Sequence, residues 1–481
     1  MRRDALLSLA LLTVPAAPAS AHSFGTIYTL PVPFWLYAWA ASASLVLSFG
    51  AIAWLAGAQA PAAPALGRPR PFPARPWRWL QGFSLLGFAL CVATGLFGNV
   101  DPYANFNMTF FWILFLLGFA YAVALLGNAY PRLAPWRLLA EGLARLWPGL
   151  HQGRGGARLA RLSARLGIVP ALLLFMLLIS VELFGDLGPR GLALALLIHL
   201  LLMLLGAALI GIEATARTLD PFGPFFALLG RLSPLAWSGA SPPLLGWRGW
   251  AGGLREPLPD ERGWGLFLLA MLATTAYDGL HEAQPWVELF WLQLYPCCLQ
   301  DWAGANPLLA YPRLRELYAV WQLAGLWLAP LLYAAVYALG IALVAWAGGA
   351  ARAAPLRRAF LPSLLPIVLV YHITHYYTLI ESQGVKIIAL VSDPFGWGWN
   401  LFGTADWLQR SIVPDTAVVW HVQVGLILAG HVWSVVAAHH EALRQFDGAA
   451  RATRSQLPML ALMVAFTVAG LWILAQPIKA V

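Results

Sequence analysis

Residues 191–212 read GLALALLIHLLLMLLGAALIGI, a run of 22 residues without a charged side chain. As an α-helix, a run of this length measures about 33 Å and matches the roughly 30 Å hydrocarbon layer of a membrane. Similar runs recur along the 481 residues, so that 60% of the chain is hydrophobic and only 11% is charged. A soluble domain carries about 25% charged residues. The composition predicts an all-α polytopic membrane protein and excludes a soluble enzyme, a nucleic-acid-binding protein and a disordered chain.

Ten apolar segments are long enough to predict membrane-spanning helices. They lie near residues 33–56, 79–98, 108–127, 166–184, 191–212, 263–280, 317–347, 360–380, 416–439 and 457–475. Residues 1–21 predict a cleaved signal peptide, because two arginines precede a short apolar stretch and Ala19-Ser20-Ala21 forms a cleavage site. Cleavage there makes His22 the first residue of the mature protein, and residues 22–481 form one transmembrane domain.

Basic residues predict how the chain is oriented. With His22 outside, the loops predicted inside hold 22 Lys or Arg, and the external loops with the C-terminal tail hold 6. Positively charged loops remain in the cytoplasm. This predicts a bacterial inner-membrane protein with both mature termini on the periplasmic side. The same asymmetry accounts for the net charge of +9 without a nucleic-acid partner. Tryptophans near predicted span ends are typical of membrane interfaces: Trp35, Trp79, Trp264 and Trp420.

Three segments outside the spans have a predicted local structure. Cys297 and Cys298 are adjacent in a predicted external loop, where we expect thiols rather than a strained vicinal disulfide. The proline-rich 213–262 loop predicts irregular or interfacial backbone. The external segment 381–415 is long enough for a lid or an interfacial loop, and its residues 393–397 predict a turn.

Ionisable side chains inside predicted spans are the strongest functional signal, because a charged group costs about 2.5–3.5 kcal/mol at the bilayer centre. His372 and His375 are three residues apart and share one helix face. Two further histidines, His199 and His421, lie in the same outer half of the bilayer by residue count. Polar residues at its rim complete the set: Asp278, His281 and Glu282.

Imidazole and carboxylate groups bind divalent transition metals. We therefore predict a metal ion, with Zn or Cu the most plausible, held by His372, His375 and His421, with His199 as a further ligand. Asp278 would act as ligand or general base, next to His281 as a second catalytic group. The alternative is that each histidine hydrogen-bonds a neighbouring helix.

His22 predicts a separate copper site, since an N-terminal histidine chelates through its amine and its ring. A haem site is a further alternative, with axial ligands drawn from His199, His372, His421 and His431. A copper- or haem-linked redox or metal-handling protein, a transporter, and a non-catalytic membrane subunit therefore remain open. The sequence contains no P-loop, G-x-S-x-G, H-E-x-x-H or C-x-x-C motif, which excludes standard ATPases and serine hydrolases.

Several short motifs resemble those of one family. They are Ala21-His22-Ser23-Phe24-Gly25 before Leu30-Pro31-Val32-Pro33, Asp101-Pro102 with Asn105, Thr275-Ala276-Tyr277-Asp278-Gly279-Leu280, Tyr371-His372-Ile373-Thr374-His375-Tyr376 and Ala429-Gly430-His431-Val432. Over most of its length the chain resembles bacterial polytopic membrane proteins known as fenitrothion hydrolases, which are membrane-bound organophosphate hydrolases.

The resemblance implies cleavage of the P–O-aryl bond of lipophilic organophosphorus triesters, and it carries over no catalytic residue. A metal ion would lower the pKa of a bound water towards about 7 and deliver hydroxide to phosphorus. The expected partners are the lipid bilayer and a small lipophilic substrate. The need for a companion membrane subunit remains open.

Overall fold

The computed structural model describes residues 32–55, 67–238, 243–250, 252–408 and 415–476. The predicted signal peptide and His22 lie outside the described residues. The principal helices are α1 (Phe34–Leu55), α2 (Ala74–Phe97), α3 (Phe106–Leu126), α4 (Pro135–Ala144), α5 (Gly156–Leu166), α6 (Val169–Phe184), α7 (Pro189–Ile210), α8 (Ile212–Thr218), α9 (Phe222–Gly230), α10 (Trp264–His281), α11 (Pro307–Gly348), α12 (Ala354–Ser382), α13 (Ile387–Ser392), α14 (Thr416–Gln445) and α15 (Ala449–Leu474).

Shorter elements join these helices. Single helical turns cover Tyr130–Leu133, Gly149–Gln152, Gly252–Arg255 and Gly384–Lys386, and an arm between α10 and α11 consists of Gln284–Glu288, Leu289–Leu299 and Gln300–Ala303. Three short strands, β1 (Arg70–Pro71), β2 (Leu235–Trp237) and β3 (Leu244–Trp247), form an antiparallel sheet in the order β1-β3-β2.

The helices confirm the prediction of a helical membrane protein. Among the described residues, eight helices are long and apolar enough to cross a membrane, namely α1, α2, α3, α7, α11, α12, α14 and α15. The α5–α6 pair, bent by 64°, would add a ninth span. The predicted segment 263–280 coincides with α10, which is not among the eight. The predicted total of ten spans is therefore not confirmed.

Several helices extend beyond the apolar runs that predict the spans. α11 begins at Pro307 rather than near 317, and α15 begins at Ala449 rather than near 457. Backbone hydrogen bonds continue a helix through polar residues, so the length of a helix does not depend on hydrophobicity alone. Trp420 also differs from the interfacial prediction, since its side chain is fully buried.

α10 lies at the centre of the bundle. Every residue from Phe267 to Asp278 is buried, and the helix packs against α6, α9, α11, α12 and α15. A helix that is apolar on all sides requires contacts on all sides. This arrangement places Asp278, near the end of α10, inside the protein rather than against lipid.

The loops collect on two sides of the bundle. On side 1, which carries residues 98–105 and 384–408, the Asn99 amide donates to the Phe395 carbonyl at 2.7 Å. The turn predicted at residues 393–397 is confirmed, because the Gly396 amide donates to the Asp393 carbonyl at 3.2 Å. Part of the predicted 381–415 loop is helical, since it contains α13.

Side 2 carries residues 127–166 and 212–262 together with the sheet. The expectation of irregular backbone at 213–262 is wrong in part, because this segment forms α8, α9, β2 and β3. The guanidinium of Arg248 donates to the carbonyls of Gly230 and Ser233 and thereby joins α9 to the sheet. Twelve of the 22 arginines predicted inside lie in residues 127–166 and 212–262 of this side. The described side 1 segments, residues 98–105 and 384–408, carry one basic residue, Lys386.

Cys297 and Cys298 form a disulfide bond in the helical arm between α10 and α11. The expectation of thiols is therefore wrong, and the segment predicted to be a loop is helical. Sequence spacing could not reveal the pairing, because bridging adjacent cysteines depends on the local backbone conformation.

Asp220 is a buried carboxylate between α8 and α9 on side 2. It accepts hydrogen bonds from the Tyr130 hydroxyl and the Trp136 indole, both at 2.9 Å, and from the Phe222 amide at 3.1 Å. Burial raises the pKa of Asp220 to about 6, although these hydrogen bonds act in the opposite direction. The carboxylate thereby holds α4, α9 and the turn after α3 together.

The raised pKa of Asp220 predicts pH-dependent stability. The folded protein binds this proton more tightly than the unfolded chain. Proton binding by Asp220 therefore contributes fully to the free energy of unfolding below about pH 4, and this contribution is lost as the pH rises through about 6. Its size is up to about 3 kcal/mol. We expect the thermal stability of purified wild type, measured relative to Asp220→Asn, to fall between pH 4.5 and 7.5. A difference independent of pH would contradict this assignment.

Candidate functional site

The carboxylate of Asp278 is the centre of a polar cluster inside the helical bundle. Asp278 is 4% exposed, and the turns of α10 below it are buried as well. A carboxylate in such a position requires hydrogen-bond partners, because burying an unpaired charge is costly. Those partners come from α12.

Two consecutive residues of α12 donate to the same oxygen of Asp278. His375 Nε2 lies 2.8 Å from Asp278 Oδ2, and the Tyr376 hydroxyl donates to Oδ2 at 2.7 Å. Since a carboxylate can only accept, His375 carries its proton on Nε2, and the neutral ring keeps its lone pair on Nδ1. The pair therefore has the geometry of a carboxylate that orients an imidazole base.

Glycine at position 279 allows the neighbouring helices to approach the cluster. A Cβ atom at this position would lie 2.6 Å from Ile473 on α15 and 3.6 Å from Cε1 of His375. Because Gly279 has no side chain, the Nδ1 edge of the His375 ring is not covered at this position of α10.

Further ionisable groups lie on the side 1 rim of the cluster. His281 Nε2 is 3.6 Å from Asp278 Oδ1, and its ring stacks on Tyr277 with centroids 5.8 Å apart. The carboxyls of Glu182 on α6 and Glu282 lie within electrostatic reach of Asp278 and His375, respectively. The cluster thus extends from the interior of the bundle to its side 1 surface.

The structure brings together some of the predicted site residues. Asp278, His281 and His375 form one cluster. His372 instead faces α3, where the Tyr121 hydroxyl lies 3.3 Å from its Nδ1. Its ring also contacts the ring of Tyr376, with centroids 4.9 Å apart.

The remaining predicted ligands lie elsewhere. His199 packs against Phe222 of α9, with ring centroids 5.6 Å apart. His421 lies beside α1, with Nε2 3.3 Å from the Tyr37 hydroxyl and Nδ1 2.6 Å from the Ala417 carbonyl. His22 lies outside the described part of the chain.

The donor arrangement does not fit a metal centre within the described part of the chain. No group of three or more His, Cys, Asp or Glu residues lies close enough there to hold an ion. His375 Nε2 faces the carboxylate and is therefore not a lone-pair donor to an ion shared with His421. A bound Zn or Cu ion remains a prediction of the sequence alone.

Two members of the cluster were not predicted. Tyr376 follows His375 in the sequence, but the tyrosine-rich segment gave no indication of which ring would face α10. Glu182 lies in a predicted span, and an acidic residue in such a segment was itself a usable signal.

Comparisons with protein-family models, with curated proteins and with solved structures gave no match for this chain.

We expect the cluster to contribute strongly to stability. His375→Ala leaves the buried Asp278 carboxylate short of a partner and should lower the free energy of unfolding by about 3–5 kcal/mol. Tyr376→Phe removes one donor and should cost about 1–3 kcal/mol. Thermal unfolding of the purified protein in detergent measures both effects.

Tyr377→Phe is the matched control for these variants. Its hydroxyl donates to the Val419 carbonyl at 3.2 Å and does not contact Asp278. A loss for Tyr377→Phe equal to that for Tyr376→Phe would show that Asp278 has no special need for its tyrosine donor.

Proposed function

We propose that this chain is a membrane-embedded hydrolase, or the catalytic subunit of one, that cleaves the P–O-aryl bond of lipophilic organophosphorus triesters such as fenitrothion. The observation that carries the proposal is the buried Asp278–His375 pair with Tyr376 as second donor. Intramembrane ionisable residues mark functional sites by default. The substrate class comes from the family resemblance.

His375 is the proposed general base. Its Nδ1 takes a proton from water as the water oxygen bonds to phosphorus, and the bond from phosphorus to the aryl oxygen breaks in line. The nitrophenolate leaves with the bonding electron pair and needs little proton donation. Asp278 stabilises the imidazolium that forms, and Tyr376 fixes the orientation of the carboxylate; both are positioning residues.

The location of the cluster suits a substrate of this class. Aryl dialkyl phosphotriesters are uncharged and partition into lipid, so they reach the protein from within the membrane. Water reaches the cluster from side 1, where His281 and Glu282 lie at its rim. A hydrolase of such compounds needs a site that both the lipid-dissolved substrate and water can reach.

We further propose that the protein lies in the bacterial inner membrane with side 2 in the cytoplasm and side 1 facing the periplasm. The arginines concentrated on side 2 support this orientation under the positive-inside rule. The mature N-terminus and the C-terminus would then both lie on the periplasmic side.

Nitrophenol release from fenitrothion by washed membranes tests the reaction. The host is a bacterium without phosphotriesterase activity, and all variants are compared at equal protein level. We expect His375→Gln and Asp278→Asn to lose activity by about 10²–10⁴-fold, which is the usual contribution of a general base. His439→Gln is the matched control, since this histidine lies at the opposite end of α14 from side 1.

The alternatives give different results. Activity that survives His375→Gln would contradict the assigned base. Loss of both activity and bound metal in His421→Gln would favour the ligand set predicted from the sequence. No release from wild type would overturn the proposal for the isolated chain, and a Soret band in the same membranes would favour the haem alternative.

The orientation is tested by single cysteines introduced at exposed leucines. Leu401→Cys lies on side 1 and Leu146→Cys on side 2, with the leucines 60% and 87% exposed. An impermeant maleimide should label Leu401→Cys in intact spheroplasts and label Leu146→Cys only after permeabilisation. The reverse pattern would invert the proposed topology.

A further inference from the structure

An apolar cleft lies one to two helical turns below the Asp278 cluster. It is formed by α10, α11, α12, α14 and α15, and its enclosed part measures about 50 Å³. The half-buried part of its lining comes from α11 and α15: Tyr333, Leu462 and Phe466. The rings of Tyr333 and Phe466 stack there with centroids 5.3 Å apart. α11 and α15 are both long and apolar enough to cross a membrane, so this part of the lining belongs to membrane-spanning helices.

Two polar atoms on the lining of this cleft have no hydrogen-bond partner in the described structure. They are the Tyr371 hydroxyl and Nε2 of His431, whose residues are 5% and 2% exposed. Leaving a buried polar atom unsatisfied costs about 1–3 kcal/mol. Two such atoms in one apolar cleft indicate that a ligand supplies the missing bonds.

The hydrogen-bonding role of each atom follows from its surroundings. His431 Nδ1 lies 2.8 Å from the Ile427 carbonyl, which can only accept, so Nδ1 carries the proton. The neutral ring then presents a bare acceptor at Nε2. The Tyr371 hydroxyl can donate and accept. The lining of this one cleft therefore offers an acceptor, which requires a ligand O–H or N–H group, and a hydroxyl that can donate.

We propose that this cleft binds the hydroxyl end of a lipid-soluble phenol or quinol. The ligand hydroxyl donates to His431 Nε2, and its oxygens accept from Tyr371. The enclosed space accommodates the hydroxyl and the adjoining ring edge, while the apolar remainder lies between α11 and α15. The flexible side chains of Met459 and Met463 allow the lining to adjust to the ring.

Two sources could supply this chemistry: the quinol pool of the membrane and the aryl group of a hydrolysed triester. The site does not depend on the proposed hydrolysis, since binding is measured without turnover. If the chain binds the ligand but releases no nitrophenol from fenitrothion, the binding site is supported and the proposed hydrolysis is contradicted.

Equilibrium dialysis with the full chain in detergent tests the site, with empty micelles as the background. The probes are 3-methyl-4-nitrophenol, held protonated by a low pH, and duroquinol under anaerobic conditions. The matched ligand control is 3-methyl-4-nitroanisole, whose methyl ether cannot donate. We expect saturable binding of at least one hydroxyl probe and about tenfold weaker binding of the anisole.

Tyr371→Phe and His431→Leu should each weaken binding of the hydroxyl probe about tenfold. The matched controls are Tyr377→Phe and His439→Leu, which change the same residue types on the same helices outside the cleft. Thermal unfolding of every variant confirms that it is folded before binding is measured.

Each outcome decides the proposal. Tighter binding of nitrophenol assigns the cleft to the aryl group of a triester, and tighter binding of duroquinol assigns it to the quinol pool. Equal binding of the anisole and the phenol, binding unchanged in folded Tyr371→Phe and His431→Leu, or no saturable binding of either hydroxyl probe would overturn it.

Discussion

The carboxylate of Asp278 imposes the strictest constraint on this structure, because it lies inside a bundle whose surroundings are lipid and apolar side chains. It is stable there only with donors aimed at it, and His375 and Tyr376 provide them from α12. Two adjacent residues of a helix can reach one oxygen in only one rotation of that helix. The pair therefore fixes how α12 is turned relative to α10.

Close packing around α10 depends on small residues. Ala270, Ala273, Ala276 and Gly279 recur every third position and let neighbouring helices approach its backbone. On α11, a Cβ atom at Gly325 would lie 2.4 Å from the Tyr277 hydroxyl, which donates to the Gln322 carbonyl at 2.7 Å. These small residues allow close helix packing, which encloses the polar cluster. A wider spacing between the helices would admit lipid or water.

Side 2 is stabilised differently. Its irregular backbone leaves carbonyl groups without helical partners, and arginine side chains satisfy several of them. Arg231 donates to the carbonyls of Glu256 and Pro257, and Arg358 donates to that of Leu258. The basic residues that predict orientation thus also hold the cap of the bundle together, because a guanidinium offers several donors in one plane.

By itself the sequence determined that this is a helical membrane protein and where most of its apolar helices lie. It also predicted that His199, His372, His375 and His421 lie towards the same end of the bundle, with Asp278, His281 and Glu282 at the rim. Run length and loop charge carry that information, because the bilayer fixes the thickness to be crossed. Only the tertiary structure decided that Asp278 pairs with His375 while His199 and His421 lie elsewhere, and that Tyr371 and His431 line one cleft. Residue counting gives depth along a helix, whereas contact between helices depends on their rotation and on which helices are neighbours, and both are set by packing between distant segments.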